Sequence, residues 1–584
     1  KTRIKVAGIV LLTLLFIMAI STVSTLAQNR PQTLAGITER VSIASDGVEG
    51  NAAILGVSIS ANGRYVAFSS SASNLVYGDD NYYCDLDYDG IYDDNCYDIF
   101  VHDRVTGDTT LVSIATDGTK GNMFSQDPLI SADGRYVVFV SESSNLVTGD
   151  TNGFVDYFVH DLATGETTRV SVASNGTQGN AHSYGYSSIS EDGRYVAFGS
   201  YASNLVVGDT NMCDTYHSSY NCYDVFVHDR VTGETARVSV ASDGTQSNGD
   251  SGLWGLSISA DGRYVAFPSR ATNLVLGDTN NNWDIFIHDR VNGETTRVSV
   301  ASDGTQGDQD SDSPSISMDG RYVAFESSST NLVMGDTNEF PDSFVHDWVT
   351  GETTRVSVAS DGTQGNGSSG SSVISSDGRY VAFYSLATNL VLGDTNNYCD
   401  NDYDGIYNDN CPDVFVHDRM TGETTRVSVA SDGIQGDSAS SHPAFSADGR
   451  YVAFESLATN LVLGDTNNYC DNDYDGIYND NCPDVFVHDR EGLAISYSVS
   501  GHIIDSDGNP LPGVNISAGY GYSTISDNQG DYTILGLQSG TYWITPSLDG
   551  YYFAPIRRMV SVPPDRVGIN FTQGFPAFLP MISR

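Results

Sequence analysis

The stretch SPSISMDGRYVAFESSSTNLVMGDTNEFPDSFVHDWVTGETTRVSVASDGTQG, residues 313–365, decides the fold. It holds four runs of β-type residues, PSIS, RYVAFES, DSFVHD and TTRVSV, separated by turn signals at MDG and VTGE and by longer polar loops. Apolar and polar residues alternate in RVSV, as in a strand with one wet face, and no helical period runs through the unit. The unit recurs. Its DGRYVAF phrase, once NGRYVAF and once DGRYVVF, appears seven times, with the glycine at 63, 134, 193, 262, 320, 378 and 449. The FVHD-type phrase also appears seven times, its histidine at 102, 160, 228, 288, 346, 417 and 488. Successive glycines lie 58 or 59 residues apart in three intervals and 69 to 71 in the others, which contain cysteine-bracketed inserts.

Four short strands per repeat, repeated radially, make the blades of a propeller. The last copy stops at FVHDREG without its fourth strand, and an extra copy of that strand, TERVSIASDG (residues 38–47), precedes the first complete unit. Pairing it into blade seven closes the ring and leaves no edge strand exposed. The sequence therefore predicts an all-β chain: a seven-bladed β-propeller over residues 37–490, closed by an N-terminal strand, then a small β-sandwich. The pattern SxDGRYVAF…NLVxGDTN…DVFVHDRxTGETTRVS resembles the WD40-like, TolB-type propeller repeats of exported bacterial proteins. That resemblance implies the fold; its members include both binding scaffolds and domains attached to enzymes, so it does not fix an activity.

Strands alternate in direction, so the SADG and VTGE turns fall on one face. The ASDGTQGN connections, the NLVLGDTN loops and the inserts fall on the other. In the insert CDNDYDGIYNDNC (residues 399–411), Asp400, Asp402 and Asp404 with the following glycine match D-x-D-x-D-G, the first half of a calcium loop. Hard Ca²⁺ takes six to eight oxygens, which carboxylates at alternate positions can supply together with Asn408 or Asp409. Cys411 stands where an EF-hand has its glutamate, and no flanking helices are expected. The stretch is more similar to the thrombospondin type 3 calcium repeat. Copies occur at Asp85, Asp87, Asp89 and Asp93, and at Asp471, Asp473, Asp475, Asn479 and Asp480. The expectation is structural Ca²⁺; the bland alternative is a solvated acidic loop. The bracketing cysteines, Cys84 and Cys96, Cys213 and Cys222, Cys399 and Cys411, and Cys470 and Cys482, read as disulfides. A bridge closing a loop of about 13 residues contributes roughly 3 kcal/mol in the chain-entropy model. The blade-three insert CDTYHSSYNC keeps its cysteines but one acid, Asp214, and is expected to carry a disulfide without a metal. The G-D-T-N phrases, such as Asp150, Asn152 and Asp156, are read as self-bonded turns, with a small calcium loop as the alternative.

The repeated His-Asp of FVHD and the arginine of DGRYVAF occur in every blade, which spreads them around a ring; they read as packing and hydrogen bonding. A catalytic site should break the symmetry. The residues that do so are His182, His217, His442, Trp254 and Trp283, and no G-x-S-x-G, H-E-x-x-H or sialidase-type box accompanies them. No catalytic residue is assigned.

Residues 497–573, from VSGHIIDSDGNPLPG onward, alternate apolar and polar positions between turn signals. They resemble the carboxypeptidase regulatory-like, transthyretin-type domain, which is non-catalytic. The apolar and then basic tail 574–584 follows. At the other end, KTRIK, an apolar run from Val6 to Ile20 and small residues read as a signal peptide, 1–27; an uncleaved anchor is the alternative. Nothing later is long and apolar enough to span a bilayer. A net charge of −46, from 74 acidic and 28 basic residues, argues against nucleic acid and anionic membranes as partners. The sum is a secreted or cell-surface, non-catalytic binding or display protein whose ligand is an extracellular glycan or protein. A polysaccharide- or peptide-cleaving enzyme using the propeller axis, and a structural subunit of a surface layer, are the competing readings.

Overall fold

The structure, a computed structural model, describes residues 36–78, 82–84, 94–214, 219–396, 399, 410–467, 470, 482–492, 497–519, 522–537, 540–548, 550–562 and 566–574. The signal-type segment and the tail beyond residue 574 lie outside the described residues. Among those described, every regular element is a β-strand. The chain divides into two compact units, one made of Thr38–Ala430 with Ile434–Arg490 and one holding Glu491–Arg584.

In blade five, Ser311–Ile316, Tyr322–Ser327, Asp342–Asp347 and Glu352–Arg355 pair in sequence order as an antiparallel sheet. Val323, Ala324 and Phe325 are fully buried, and the Phe325 ring stacks on Phe344 with centroids 5.9 Å apart. The fourth strand ends at Arg355, earlier than the TTRVSV run suggests. Beyond it the Ser357 hydroxyl donates to Asp342 (2.5 Å), and Val358 turns back to bridge Gln364.

The remaining blades repeat this plan, and the seventh takes its outer strand from the N-terminus: Ile37–Arg40 pairs with Asp484–Asp489, followed by Tyr451–Ser456 and Ser440–Phe445. Thr38 Oγ1 meets His488 Nδ1 at 2.8 Å, Arg40 reaches Asp484 at 3.1 Å, and Val41 N donates to Val485 O at 2.9 Å. The expected closure is therefore present.

The first strands of adjacent blades touch one another in an unbroken ring, so they line the axis. Their S-x-D-G turns are linked blade to blade by backbone bonds, among them Ala260 N to Met318 O (3.2 Å), Ser376 N to Ala447 O (3.1 Å) and Ala447 N to Ala61 O (2.9 Å). The glycine of this turn makes room for a tyrosine of the preceding blade. At Gly378 φ is +73°, and an added Cβ would stand 2.3 Å from the Tyr322 ring.

In the second unit, Asp531–Leu537, Tyr497–Ile504, Phe571–Gly574 and Tyr552–Ala554 form one sheet. Tyr522–Ile525, Asn515–Gly519, Gly540–Ser547 and Arg558–Val562 form the other. Val499, Ile503, Ile516, Ile534, Tyr542 and Ile544 are buried between them, giving the expected β-sandwich.

Candidate functional site at the mouth of the propeller axis

The inserts are closed by four disulfides, Cys84–Cys96, Cys213–Cys222, Cys399–Cys411 and Cys470–Cys482, with Cα atoms 4.9 to 5.1 Å apart. The calcium candidates Asp85, Asp87, Asp89, Asp93, Asp400, Asp402, Asp404, Asn408, Asp409, Asp471, Asp473, Asp475, Asn479 and Asp480 lie outside the described residues. In blade three, Cys213, Cys222 and Asp250 come together, but both sulfurs are committed to the bond. Asp250 instead accepts from Tyr220 Oη and Tyr223 N, each at 2.8 Å.

The G-D-T-N loops are turns. Asn152 Oδ1 accepts from Phe154 N (3.2 Å), and its amide donates to Asp156 (2.8 Å). Asp150 and Asp156 share the guanidinium of Arg169 at 2.9 and 3.1 Å. Arg297 does the same for Asp278 and Asp284, and Arg355 for Asp336 and Asp342. Burial pushes Asp156, Asp284 and Asp342 up, while their serine and arginine partners pull them back. The cation between each pair of carboxylates is thus an arginine from the fourth strand.

The repeated histidines are packing elements, as expected. His160 Nδ1 meets Thr167 Oγ1 at 2.8 Å, and that hydroxyl donates to Ile114 O on the chain leaving the preceding blade. On the opposite face Arg135 binds Asp161 through two bonds, at 2.9 and 2.6 Å, and its guanidinium lies 4.8 Å from the Tyr136 ring. A depression of about 560 Å³ on that face, between Asp103 and Arg135, is walled by these repeat residues and breaks no symmetry.

Symmetry breaks at the axis. Near the loop-rich face every blade has a positive-φ residue in its first strand or just ahead of it: Gly56, Asp127, Ser313, Ser371 and His442 lie within the strand, and Gly185 and Gly255 two residues before it. In four blades this residue is not glycine. Asp127, Ser313, Ser371 and His442 hold φ between 47° and 54°, a costly conformation that the ring imposes. The residue before the last serine of each second strand stands beside it and also varies: Ser69, Val140, Gly199, Pro268, Glu326, Tyr384 and Glu455.

These positions gather chemistry. His442 Nδ1 lies 3.1 Å from Glu455 Oε2 and 3.1 Å from the Ser441 hydroxyl. His442 exposes 63% of its side chain and Glu455 only 9%, and Glu455 Oε1 has no partner. The Glu455 hydrogen bond holds the imidazole pKa above its ordinary value. Asp127, in the first strand of blade two, is pushed up to about 6 by loss of hydration and by the Glu455 charge. Glu326 accepts from Ser371 N in the next blade (3.3 Å), and is pushed up to about 7 by burial and by Asp312. Tyr186 is close enough to Asp127, Asp312 and Glu326 for their charges to raise it, after burial. Tyr184, Tyr201, Tyr220 and Tyr223 form a chain of ring contacts with centroids 4.8 to 6.2 Å apart, running from the blade-three insert to the first strand.

Of the asymmetric residues singled out from the sequence, His442 and Trp254 stand at this mouth. His182 accepts from Val155 N (3.1 Å) and packs on Phe154 (4.9 Å), and Trp283 lies under Arg270 (5.8 Å). His217 is outside the described residues. Asp127, Tyr186, Asp312, Glu326 and Glu455 were not anticipated. Their signal was the variable residue in YVAFxS and the blade-specific residues following the opening serine of the first strand.

Residues 498–572 match the family model of the carboxypeptidase regulatory-like domain. No curated protein sequence matches the chain. Among solved structures it is similar to a TolB from Agrobacterium tumefaciens, with 16% identity and a TM-score of 0.32 over 55% of this chain and 83% of that one. TolB from Acinetobacter baumannii gives 14% and 0.31 over 56% and 59%. An oligogalacturonate lyase in complex with manganese gives 14% and 0.42 over 75% and 89%. The chain joins a seven-bladed β-propeller to a C-terminal β-sandwich that matches the carboxypeptidase regulatory-like domain.

Proposed function

We propose that this is an exported binding or display protein of the cell surface or extracellular space, taking a glycan or protein on the loop-rich face of the propeller. One observation carries the reading. Blades that are otherwise near-copies diverge where their first and second strands reach that face, and there they present exposed rings, acids and a histidine. Four disulfides suit an oxidising compartment, and among the described residues no helix is long and apolar enough to cross a membrane. Screening the full chain against glycan and peptide arrays, with product analysis alongside, tests the proposal. Saturable binding without turnover, weakened by Tyr186→Ala, is the expected result. Turnover abolished by His442→Ala would instead favour the second reading, a polymer-cleaving enzyme, for which the His442–Glu455 pair is the supporting observation.

Structural calcium in the acidic inserts is part of the same proposal. Its support is the D-x-D-x-D-G pattern inside loops whose ends the disulfides hold together. Calcium should raise the melting temperature, a chelator should reverse the rise, and Asp402→Asn with Asp473→Asn should reduce the calorimetric stoichiometry. Absence of binding heat at millimolar calcium would remove this part.

A further inference from the structure

We propose that the C-terminal β-sandwich docks on an anionic lipid surface, through an exposed patch of Trp543, Ile556, Arg557 and Met559 with Arg558 and Arg566 along its edge. This does not depend on what the propeller face binds. Arg558–Val562 is the outermost strand of its sheet and pairs with Gly540–Ser547. Val560 and Val562 are buried in the core, so Met559 between them faces out, on the same side as Arg557 just ahead of the strand. Trp543 stands opposite Met559, between the buried Tyr542 and Ile544, and so faces out as well. The Arg557 guanidinium lies 4.0 Å from the centre of the Trp543 ring. Ile556, next to Arg557 in the chain, is 76% exposed, Met559 64% and Trp543 46%. Apolar side chains that are open to water and adjacent mark a contact surface, whereas scattered single ones need no explanation.

Charge is the second observation. From residue 550 to residue 584 there are four arginines and one acid, Asp565, in a chain whose net charge is −46. In the propeller, arginines such as Arg135, Arg169 and Arg355 are held by aspartates. In the sandwich, Arg558 Nε donates to Asn570 O (3.0 Å) and Arg566 Nε to Ser561 O on the edge strand (2.7 Å). Among the described residues neither of these two nor Arg557 forms an ion pair. Ser561 is three residues along the strand from Arg558, so the three arginines are anchored along an edge of about 10 Å.

An anionic bilayer suits both halves of the patch. Arginines bind phosphate oxygens through two parallel hydrogen bonds while their stems lie along apolar surface. Tryptophan settles at the level of the lipid headgroups. Ile556 and Met559 leave water for the boundary with the acyl chains, as in proteins that lie on a membrane without crossing it. A soluble acidic polysaccharide would use the arginines and Trp543 but leave Ile556 and Met559 in water. At about 0.15 M salt, charges more than about 8 Å away are largely screened, so the patch and not the chain total governs the approach.

The test is flotation of the full chain at about 0.15 M salt with vesicles of phosphatidylcholine, alone or with about one third phosphatidylglycerol. The expected result is at least about ten-fold stronger partition onto the phosphatidylglycerol vesicles. Arg557→Gln with Arg558→Gln, and separately Ile556→Ser with Met559→Ser, should each weaken it by about ten-fold. Bromine-labelled acyl chains should quench the tryptophan fluorescence of the bound chain, and Trp543→Phe should remove that quenching. Glu294→Gln in the propeller should change neither. If a double variant does not melt like the parent, Arg557→Gln alone serves, because Arg557 is exposed and forms no ion pair among the described residues. Equal partition onto both kinds of vesicle, or quenching that survives in Trp543→Phe, would overturn the proposal. So would binding of alginate without binding of vesicles, which would identify an acidic glycan. Self-association abolished by the arginine substitutions, again without vesicle binding, would identify a second copy of the chain instead. Failure to bind any of these would overturn it and leave the propeller reading untouched.

Discussion

Arg355 stands where an acidic loop would otherwise need a metal, its guanidinium 3.2 Å from each of Asp336 and Asp342. Removing one partner of a buried pair leaves uncompensated charge, so Arg355→Leu should lower stability by about 3–5 kcal/mol in denaturant unfolding. The axial acids behave in the opposite sense. Glu326, raised from 4.5 to about 7, contributes stability that is fully present below pH 4.5 and is lost as pH rises through about 7. Glu326→Gln should therefore raise the melting temperature above pH 7 and leave it nearly unchanged at pH 4. The sequence shows the G-D-T-N aspartates and the arginine of TTRVS plainly, but not that they meet. Asp336 and Arg355 are brought together by the third strand crossing between them, which spacing alone does not reveal.

At the scale of the strand, each histidine donates through Nδ1 to a threonine whose hydroxyl already donates to a carbonyl of the neighbouring blade, as in His288, Thr295 and Val240. Burial lowers His288, His346 and His488 from 6.5 to about 4. A buried base with a lowered value contributes stability above its unfolded pKa and loses it as pH falls from 6.5 towards 4. Each such histidine should add up to about 1.4 kcal/mol per pH unit to that slope. Thermal melts across this window check it: a melting temperature flat from pH 7 to 4 would contradict neutral, buried imidazoles. The period-two runs and glycine turns made the strands readable. The positive-φ bulges did not show, because Ser313 and Ser371 do not favour a left-handed turn, and Asp127 and His442, which tolerate one, are just as much at home elsewhere. The axial site was hidden for the same reason. Repeats draw the eye to what recurs, whereas the mouth is built from the few positions that do not.

At the scale of the molecule, the seven-fold count was legible because blade seven lacks a fourth strand and the extra strand before blade one, TERVS, differs by one residue from the TTRVS of blades two, four, five and six. The structure gives Thr38, Arg40 and Ser42 the roles that Thr353, Arg355 and Ser357 play in blade five. Deleting residues 36–43 should expose the outer edge of Asp484–Asp489, lower the melting temperature and produce concentration-dependent association in sedimentation. A monomeric, equally stable truncation would contradict the sheet order.

That shared last sheet makes the order of synthesis matter. The partner of Arg40 is Asp484, 444 positions later, so the first strand of the ring to leave the ribosome waits for the last repeat of the ring before it has a neighbour. Individual blades can form as they emerge, but the circle is a property of the finished array. Moving the opening strand to follow residue 490 would turn its longest-range pairing into a local hairpin, and such a circular permutant should reach the same ring faster.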